Sequence, residues 1–340
     1  MASSQPRALA ALAIRPDVAE DMFGVPQRMR LEAVAEVPCW APIVDFQSMA
    51  DKDRLRSVTV LLSGWGCPRL DEGMLNLMPN LKLVAHTGSS VKPIVSGQLW
   101  ARGVRVISAA AANAVPVAEF ALAAILFANK GVFQAREASR SKRFFPVHPW
   151  IATGSKGNLG ATVGIVAFSR TGRQLARLLR AFDVKVLVYD PIASPAEIEG
   201  YGARAASLEE MFEKADVVSI HAPSLPQTRG MVSASLLARL RDGATIINTA
   251  RGDIVDQHAL ERELESGRLC AVLDVTEPEP PEESSALFDL PNVFLTPHLA
   301  GAAGLETRRL ADLAIEEVSR FVGGQPLAHE VTAEMLETIG

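Results

Sequence analysis

The sequence predicts an α/β protein of two domains, the second built on a doubly wound parallel sheet. Short apolar runs alternate with amphipathic helical stretches from end to end, and strands separated by helices require the crossover connections of parallel sheets. The alternation starts afresh after an irregular Pro-, Gly- and Trp-rich stretch at 144–157, and 340 residues leave room for two cores. Hydrophobic residues make up 48% and aromatics only 6%, a balance that suits buried strands covered by Ala- and Leu-rich helices.

In chain order, strands are expected at 9–14, 58–62, 81–86 and 104–107, with helical character at 22–34 and 71–78. The Ala-rich segment from 115 to about 138 reads as one helix. In it Val117, Phe120, Ala121, Ala124 and Ile125 recur at helical spacing, and Pro116 sits where a first turn tolerates it. The stretch 144–157 reads as a connection between domains. A strand at 162–166 then precedes a helix at 172–182, with Leu175, Leu178, Leu179 and Phe182 on one face. A strand at 185–189 follows, and Ser207-Leu-Glu-Glu210 reads as a capping box before a strand at 216–221. Ser233 is expected to cap another helix, and Gly243 to end the turn after it. A strand at 244–248, a helix at 257–266 and strands at 269–274 and 293–296 complete a six-stranded sheet of the nucleotide-binding kind. The helix near 306–321 follows that sheet and is expected to pack back on the first domain.

Composition excludes several partners. The formal charge of −5 argues against nucleic acid, which demands a concentrated basic surface. Arg136, Arg140, Lys142 and Arg143 read more simply as a solvated helix face or an interdomain contact. Cys39, Cys67 and Cys270 are odd in number and far apart, which gives neither a disulfide framework nor metal-ligand spacing. Reduced thiols in the cytoplasm and no metal are expected. The apolar opening at 8–14 is too short to span a membrane and lacks a signal-peptide cleavage pattern, so no membrane role is expected.

The first turn of the second sheet reads Gly164-Ile-Val-Ala167-Phe-Ser169-Arg-Thr-Gly172. A dinucleotide fingerprint would place glycine at 167, 169 and 172, and only Gly172 is present. The context is strong nonetheless, with a strand before, an amphipathic helix after, and Asp190 ending the next strand. Asp190 stands where a carboxylate would bind the adenosine ribose hydroxyls and repel the extra phosphate of NADP, so NAD is the expected cofactor. The plainer alternative is that Asp190-Pro191 starts a turn. Ser169 adds a Cβ near the pyrophosphate but offers a hydroxyl to it, and the amides of Arg170 and Thr171 still face the phosphates.

Three motifs fall at successive later strand ends: Asn248-Thr-Ala-Arg251-Gly252, Asp274-Val-Thr-Glu277-Pro-Glu279-Pro280 and Thr296-Pro-His298-Leu-Ala-Gly301. Each residue alone has an ordinary explanation, as a surface cation, a loop glutamate or a packing histidine. Together and in this order they match the needs of hydride transfer to a 2-keto acid. Arg251 suits the substrate carboxylate, because its planar fork binds carboxylates bidentately. His298 suits the acid that protonates the carbonyl oxygen. A neighbouring carboxylate, Glu279 or Glu277, would orient it and favour its charged form.

These segments, with His221-Ala222-Pro223, closely resemble the D-2-hydroxyacid dehydrogenase family, which includes phosphoglycerate, glycerate and D-lactate dehydrogenases. The resemblance runs in the expected order over nearly the whole chain. It implies Arg251 as the substrate-binding arginine, His298 as acid/base and Glu279 as its partner, and Asp274 as a ligand of the nicotinamide carboxamide. His221, Ala222 and Pro223 would border the adenosine side, with Thr249, Ala250 and Gly301 also lining the cofactor. His86-Thr-Gly88-Ser89-Ser90 resembles the loop whose amides contact the substrate carboxylate, although Lys92 stands where the family often has Asp. The implied architecture is a Rossmann-type NAD domain (113–304) inserted into a smaller flavodoxin-like substrate domain (1–112 and 305–340), with a homodimer as the usual assembly. The implied activity is that of an NAD-dependent D-2-hydroxyacid dehydrogenase. The alternatives are a catalytically weak NAD-sensing regulatory or corepressor-like protein of the same fold and a formate dehydrogenase. The Glu279–His298 pairing disfavours the latter, since formate oxidation requires no proton relay.

Overall fold

The computed structural model describes residues 7–143 and 157–339. The chain divides into two compact units, one running to Asn113 and resuming at Ala302, the other Ala114–Gly301. In the first unit, β1 (Ala10–Ala13), β2 (Val60–Ser63), β3 (Leu83–His86) and β4 (Arg105–Ser108) form an all-parallel sheet in the order β1-β2-β3-β4. Successive residues of each strand feed opposite faces. Ala10, Leu12, Val60 and Leu62 pack with Ala311, Ala314, Ile315 and Val318 of the helix Thr307–Val322, while Ala11, Leu61, Val84 and Val106 face a second core. The C-terminal helix thus belongs to the first unit, as its position in the sequence suggests.

The second unit holds a seven-stranded parallel sheet. Its strands are β5 (Thr162–Val166), β6 (Lys185–Tyr189), β7 (Arg204–Ala205), β8 (Val217–Ile220), β9 (Thr245–Asn248), β10 (Cys270–Leu273) and β11 (Val293–Leu295). The spatial order is β11-β10-β9-β8-β5-β6-β7. Val163, Ile165, Val188, Ile247 and Val272 fill one face, and Leu187, Val218, Ile220, Ile246 and Leu273 the other. Burying each such side chain contributes roughly 1.5–3 kcal/mol, which is why these runs read so clearly as strands. The count exceeds the expected six because β7 pairs along only two residues, too few to show a pattern.

Other expectations need correction. The segment at 115–138 is two helices, Ala110–Asn129 and Val132–Lys142. Gly131 between them takes φ 62°, a left-handed conformation that ends the first helix at little cost for glycine. Because that helix begins at Ala110, Pro116 lies inside it rather than in its first turn. The helix is long and apolar enough to cross a bilayer, but here Ala118, Ala121 and Ile125 pack into the sheet core. Helical structure near 22–34 is likewise divided, into Pro16–Met22 and Val25–Val34. The helix after β5 is Arg170–Leu179, so Phe182 lies beyond its end and is exposed rather than part of the apolar face. Ser207 caps its helix through the Glu210 amide, but the Glu210 carboxylate pairs with Arg204 and Lys214 instead of closing a box. Ser233 makes no side-chain cap; its hydroxyl meets that of Ser235. Most of the expected inter-domain connection, 144–156, lies outside the described residues.

Candidate active site

The strand order of the second unit reverses between β5 and β8, and ligands of such sheets bind beyond the carboxyl ends at that reversal. There β5 enters the turn to Gly172. Ala167 adopts φ 74°, and its amide donates to the Tyr189 carbonyl at 2.8 Å. Gly172 is the one glycine this turn cannot replace, since a Cβ would lie 2.3 Å from the Ala167 carbonyl oxygen. Ser169 is the N-cap of the helix Arg170–Leu179, its Oγ accepting from the Gly172 amide at 3.3 Å. That bond leaves the hydroxyl proton free to donate, and the first-turn amides of Arg170 and Thr171 open toward the same side.

Asp190 ends the next strand. Its Oδ2 accepts from the Phe168 amide at 2.7 Å, and its Oδ1 from the amides of Ile192 and Ala193, each at 2.8 Å. The carboxylate therefore braces the turn, and a ribose hydroxyl would share oxygens that three amides already use. At the end of β8 the His221 amide donates to the Val166 carbonyl, which ties this loop to β5. The His221 imidazole turns inward, Nε2 lying 2.9 Å from Ser219 Oγ, and burial pushes its pKa down to about 3. The ring is thus held inside the fold by Ser219.

Beyond β9, Asn248 shapes the turn. Its Nδ2 donates to the Arg251 carbonyl at 2.8 Å, and its Oδ1 accepts from the Ala250 amide at 3.0 Å. Thr249 Oγ1 is buried and partnerless, an unfavourable state that a hydrogen-bonding ligand at this strand end would relieve. Arg251 is half-buried, with Nη1 donating to the Ala250 carbonyl at 2.6 Å. Gly252 lies against the Thr276 carbonyl, where a Cβ would come within 2.1 Å. Glycine there lets the arginine turn lie against the loop that carries the glutamates.

Asp274, only 2% exposed, organises the last loop. Its Oδ1 accepts from Thr296 Oγ1 at 2.7 Å and the Leu299 amide at 2.8 Å, its Oδ2 from the Ala300 amide at 2.9 Å. Its carbonyl also receives the His298 amide. His298 sits at φ 53°, with Nδ1 2.6 Å from Glu279 Oε1. Glu279, not Glu277, is thus the partner carboxylate. Arg251, Glu279, His298, Thr249, Ala250, Asp274 and Gly301 all gather along the carboxyl ends of β9, β10 and β11. A cation and a carboxylate–imidazole pair on the same row of strand ends can hold an anionic substrate and move one proton.

Gly88, Ser89 and Ser90 lie in the first unit, just past β3. Ser108 Oγ donates to the Gly88 and Ser89 carbonyls at 3.2 and 2.6 Å, and the Ala109 amide donates to Gly88 at 3.1 Å. The amides of the same three residues donate to no acceptor among the described residues. Unpaired amides on consecutive residues are donors that a carboxylate can use. Sequence reasoning missed the supporting roles of Asn248, Thr296 and Ser108, whose only signal was a polar residue at or just past the end of a strand.

The cofactor fits this arrangement: Gly172 keeps the turn open, the helix start offers amides, and Thr249 offers a partnerless hydroxyl. Residues 122–300 match the profile described as D-isomer specific 2-hydroxyacid dehydrogenase, NAD binding domain, and NAD is the cofactor. The chain is 33% identical over 285 residues to D-3-phosphoglycerate dehydrogenase of Bacillus subtilis, covering 83% of this chain and 53% of that protein. It is 30% identical over 249 residues to hydroxypyruvate reductase of Thermotoga maritima, covering 72% of this chain and 78% of that one. The chain spans about half the length of the curated phosphoglycerate dehydrogenases it matches. A phosphoglycerate oxidoreductase from Rhizobium etli superposes with a TM-score of 0.78 at 25% identity, covering 96% of this chain and 99% of that one. The chain belongs to the D-isomer specific 2-hydroxyacid dehydrogenase family.

Proposed function

We propose that this protein interconverts a small 2-keto acid and the corresponding D-2-hydroxy acid. The observation that carries the reading is the 2.6 Å contact of His298 Nδ1 with Glu279 Oε1, on the same row of strand ends as Arg251. In the reductive direction NADH, when bound, supplies the hydride. Arg251 holds the substrate carboxylate through its fork and draws electron density from the adjoining carbonyl. The free amides of Gly88, Ser89 and Ser90 would take a carboxylate oxygen. Glu279 fixes the imidazole through Nδ1, so His298 presents Nε2 to the carbonyl oxygen and delivers the proton that oxygen needs as the carbon is reduced. In the oxidative direction the same nitrogen takes the proton back. Ser169, Arg170, Thr171 and Gly172 would hold the pyrophosphate, Asp190 the ribose, and Thr249, Ala250, Asp274 and Gly301 the nicotinamide side.

The experiment follows NADH absorbance against glyoxylate, hydroxypyruvate, pyruvate and bulkier 2-keto acids. Substrate-dependent NADH loss that vanishes in Arg251→Ala is the expected outcome. NADH binding with no turnover across the panel, or turnover that survives Arg251→Ala, would overturn the reading.

A further inference from the structure

The first unit buries a histidine beneath the three amides assigned to the substrate carboxylate. His86 closes β3 and is 6% exposed. Its Nδ1 lies 3.1 Å from Ser63 Oγ, the residue opposite it on the neighbouring strand β2. Its Nε2 lies directly under Gly88, so close that a Cβ on Gly88 would come within 2.5 Å. The loop therefore rests on the imidazole from below, while Ser108 and Ala109 hold its carbonyls from the side. Burial pushes the His86 pKa down to about 4, against a weaker opposing pull from the Ser90 backbone. The ring is consequently neutral at ordinary pH. It adds no charge of its own to the loop.

We propose that His86 is a positioning residue for substrate recognition, the floor that fixes the Gly88–Ser90 loop so that its unpaired amides can take a carboxylate. This rests on the reaction proposed above, but it assigns a role to a residue that touches neither substrate nor cofactor. Three consecutive amides converge on one anion only if the peptide planes keep a fixed tilt. Here the loop is held by the Ser63–His86 contact below and the Ser108 hydroxyl beside it. The glycine at 88 is required for the same reason, because any side chain there would lift the loop off the ring.

The test compares wild type with His86→Leu, His86→Gln and Ser63→Ala, and reads three constants. These are the KM for the best keto acid of the panel, the Kd for NADH, and the Kd for oxamate measured by calorimetry in the presence of NADH. Oxamate, a carboxylate analogue of pyruvate that accepts no hydride, reports the cradle whether or not any panel member is turned over. His86→Leu should weaken the keto acid and oxamate constants about tenfold, as expected for loss of aligned donors to a charged group. NADH affinity should stay within about twofold, since its residues lie in the other unit. His86→Gln, which keeps a polar tip at similar reach, should recover most of the loss, and Ser63→Ala should show a smaller loss of the same kind. Equal loss of NADH and oxamate affinity would mark a general structural effect and overturn the proposal. So would unchanged oxamate and keto acid constants in a folded His86→Leu, or wild type that binds no oxamate. Oxamate binding that His86→Leu weakens, without turnover of any keto acid, would sink the reaction proposed above and leave this inference standing.

Discussion

Two strand ends of the second unit place a residue with a side chain in the left-handed region, and they do so under opposite conditions. Ala167, at φ 74°, follows β5, and His298, at φ 53°, follows β11. At His298 the conformation is fixed from several directions. Its amide bonds the Asp274 carbonyl, and the Asp274 carboxylate takes three donors from the same loop. The conformation also sets the imidazole against Glu279. Strain held this way belongs to a functional device, and histidine tolerates this region better than most residues. Ala167 has no such use for its methyl group. Its conformation is imposed by the turn, where Gly172 crowds its carbonyl and Tyr189 holds its amide. The difference shows that the same backbone geometry is at one place a tool and at the other a residual cost of losing a glycine.

The sharpest way to break the comparison is to remove what the strain at His298 positions. His298→Ala should lower turnover by roughly 10²–10⁴, the range general acid–base catalysis supplies, while NADH affinity stays close to wild type. Equal loss of both would mean that the ring is a packing residue and that its conformation serves no proton transfer. The next step removes the brace and keeps the ring. Asp274→Ala leaves three donors of the loop unpaired, at about 1–3 kcal/mol for each that water cannot reach. It should lower Tm by several degrees and cost about tenfold or more in turnover. An unchanged Tm would show that the loop holds His298 without Asp274. A loss confined to NADH affinity would favour the nicotinamide contact as the main role of Asp274.

How much of this was legible in the sequence differs between the two places for the same physical reason. Strands β5 and β6 could be read to the residue because both faces of each are buried, leaving unbroken aliphatic runs at 163–166 and 186–188. The catalytic side chains were legible because each lies in a short polar motif a few residues past a strand. The supports were not. Asp274 to Ala300, Ser63 to His86 and Ser108 to Gly88 join residues some 20 or more positions apart, and no local periodicity encodes such contacts. The break at Gly131 was hidden by the Ala-rich composition on either side. The sequence showed that two glycines of the fingerprint were missing, but only the backbone shows that one substitution carries strain and the other a use. Ser169 is extended and caps its helix, whereas Ala167 is left-handed.

That asymmetry sets the smallest effect and the one that most directly tests the contrast. A left-handed conformation costs an L-residue roughly 1–2 kcal/mol, and glycine in the unfolded chain returns about 0.4–1 kcal/mol of that as entropy. Ala167→Gly should therefore stabilise the protein by a few tenths to about 1 kcal/mol, read as a rise in Tm of a few degrees at most. It should also tighten NADH, by about two- to fivefold if part of the strain is relieved only when the pyrophosphate settles over the turn. Ser169→Gly should act in the opposite sense on stability, since it removes the cap at 3.3 Å from the Gly172 amide. If Ala167→Gly instead lowers Tm, the turn has adapted to alanine and the backbone at 167 is unstrained. The missing glycine would then be a neutral replacement, and the contrast with His298 would rest on the histidine alone.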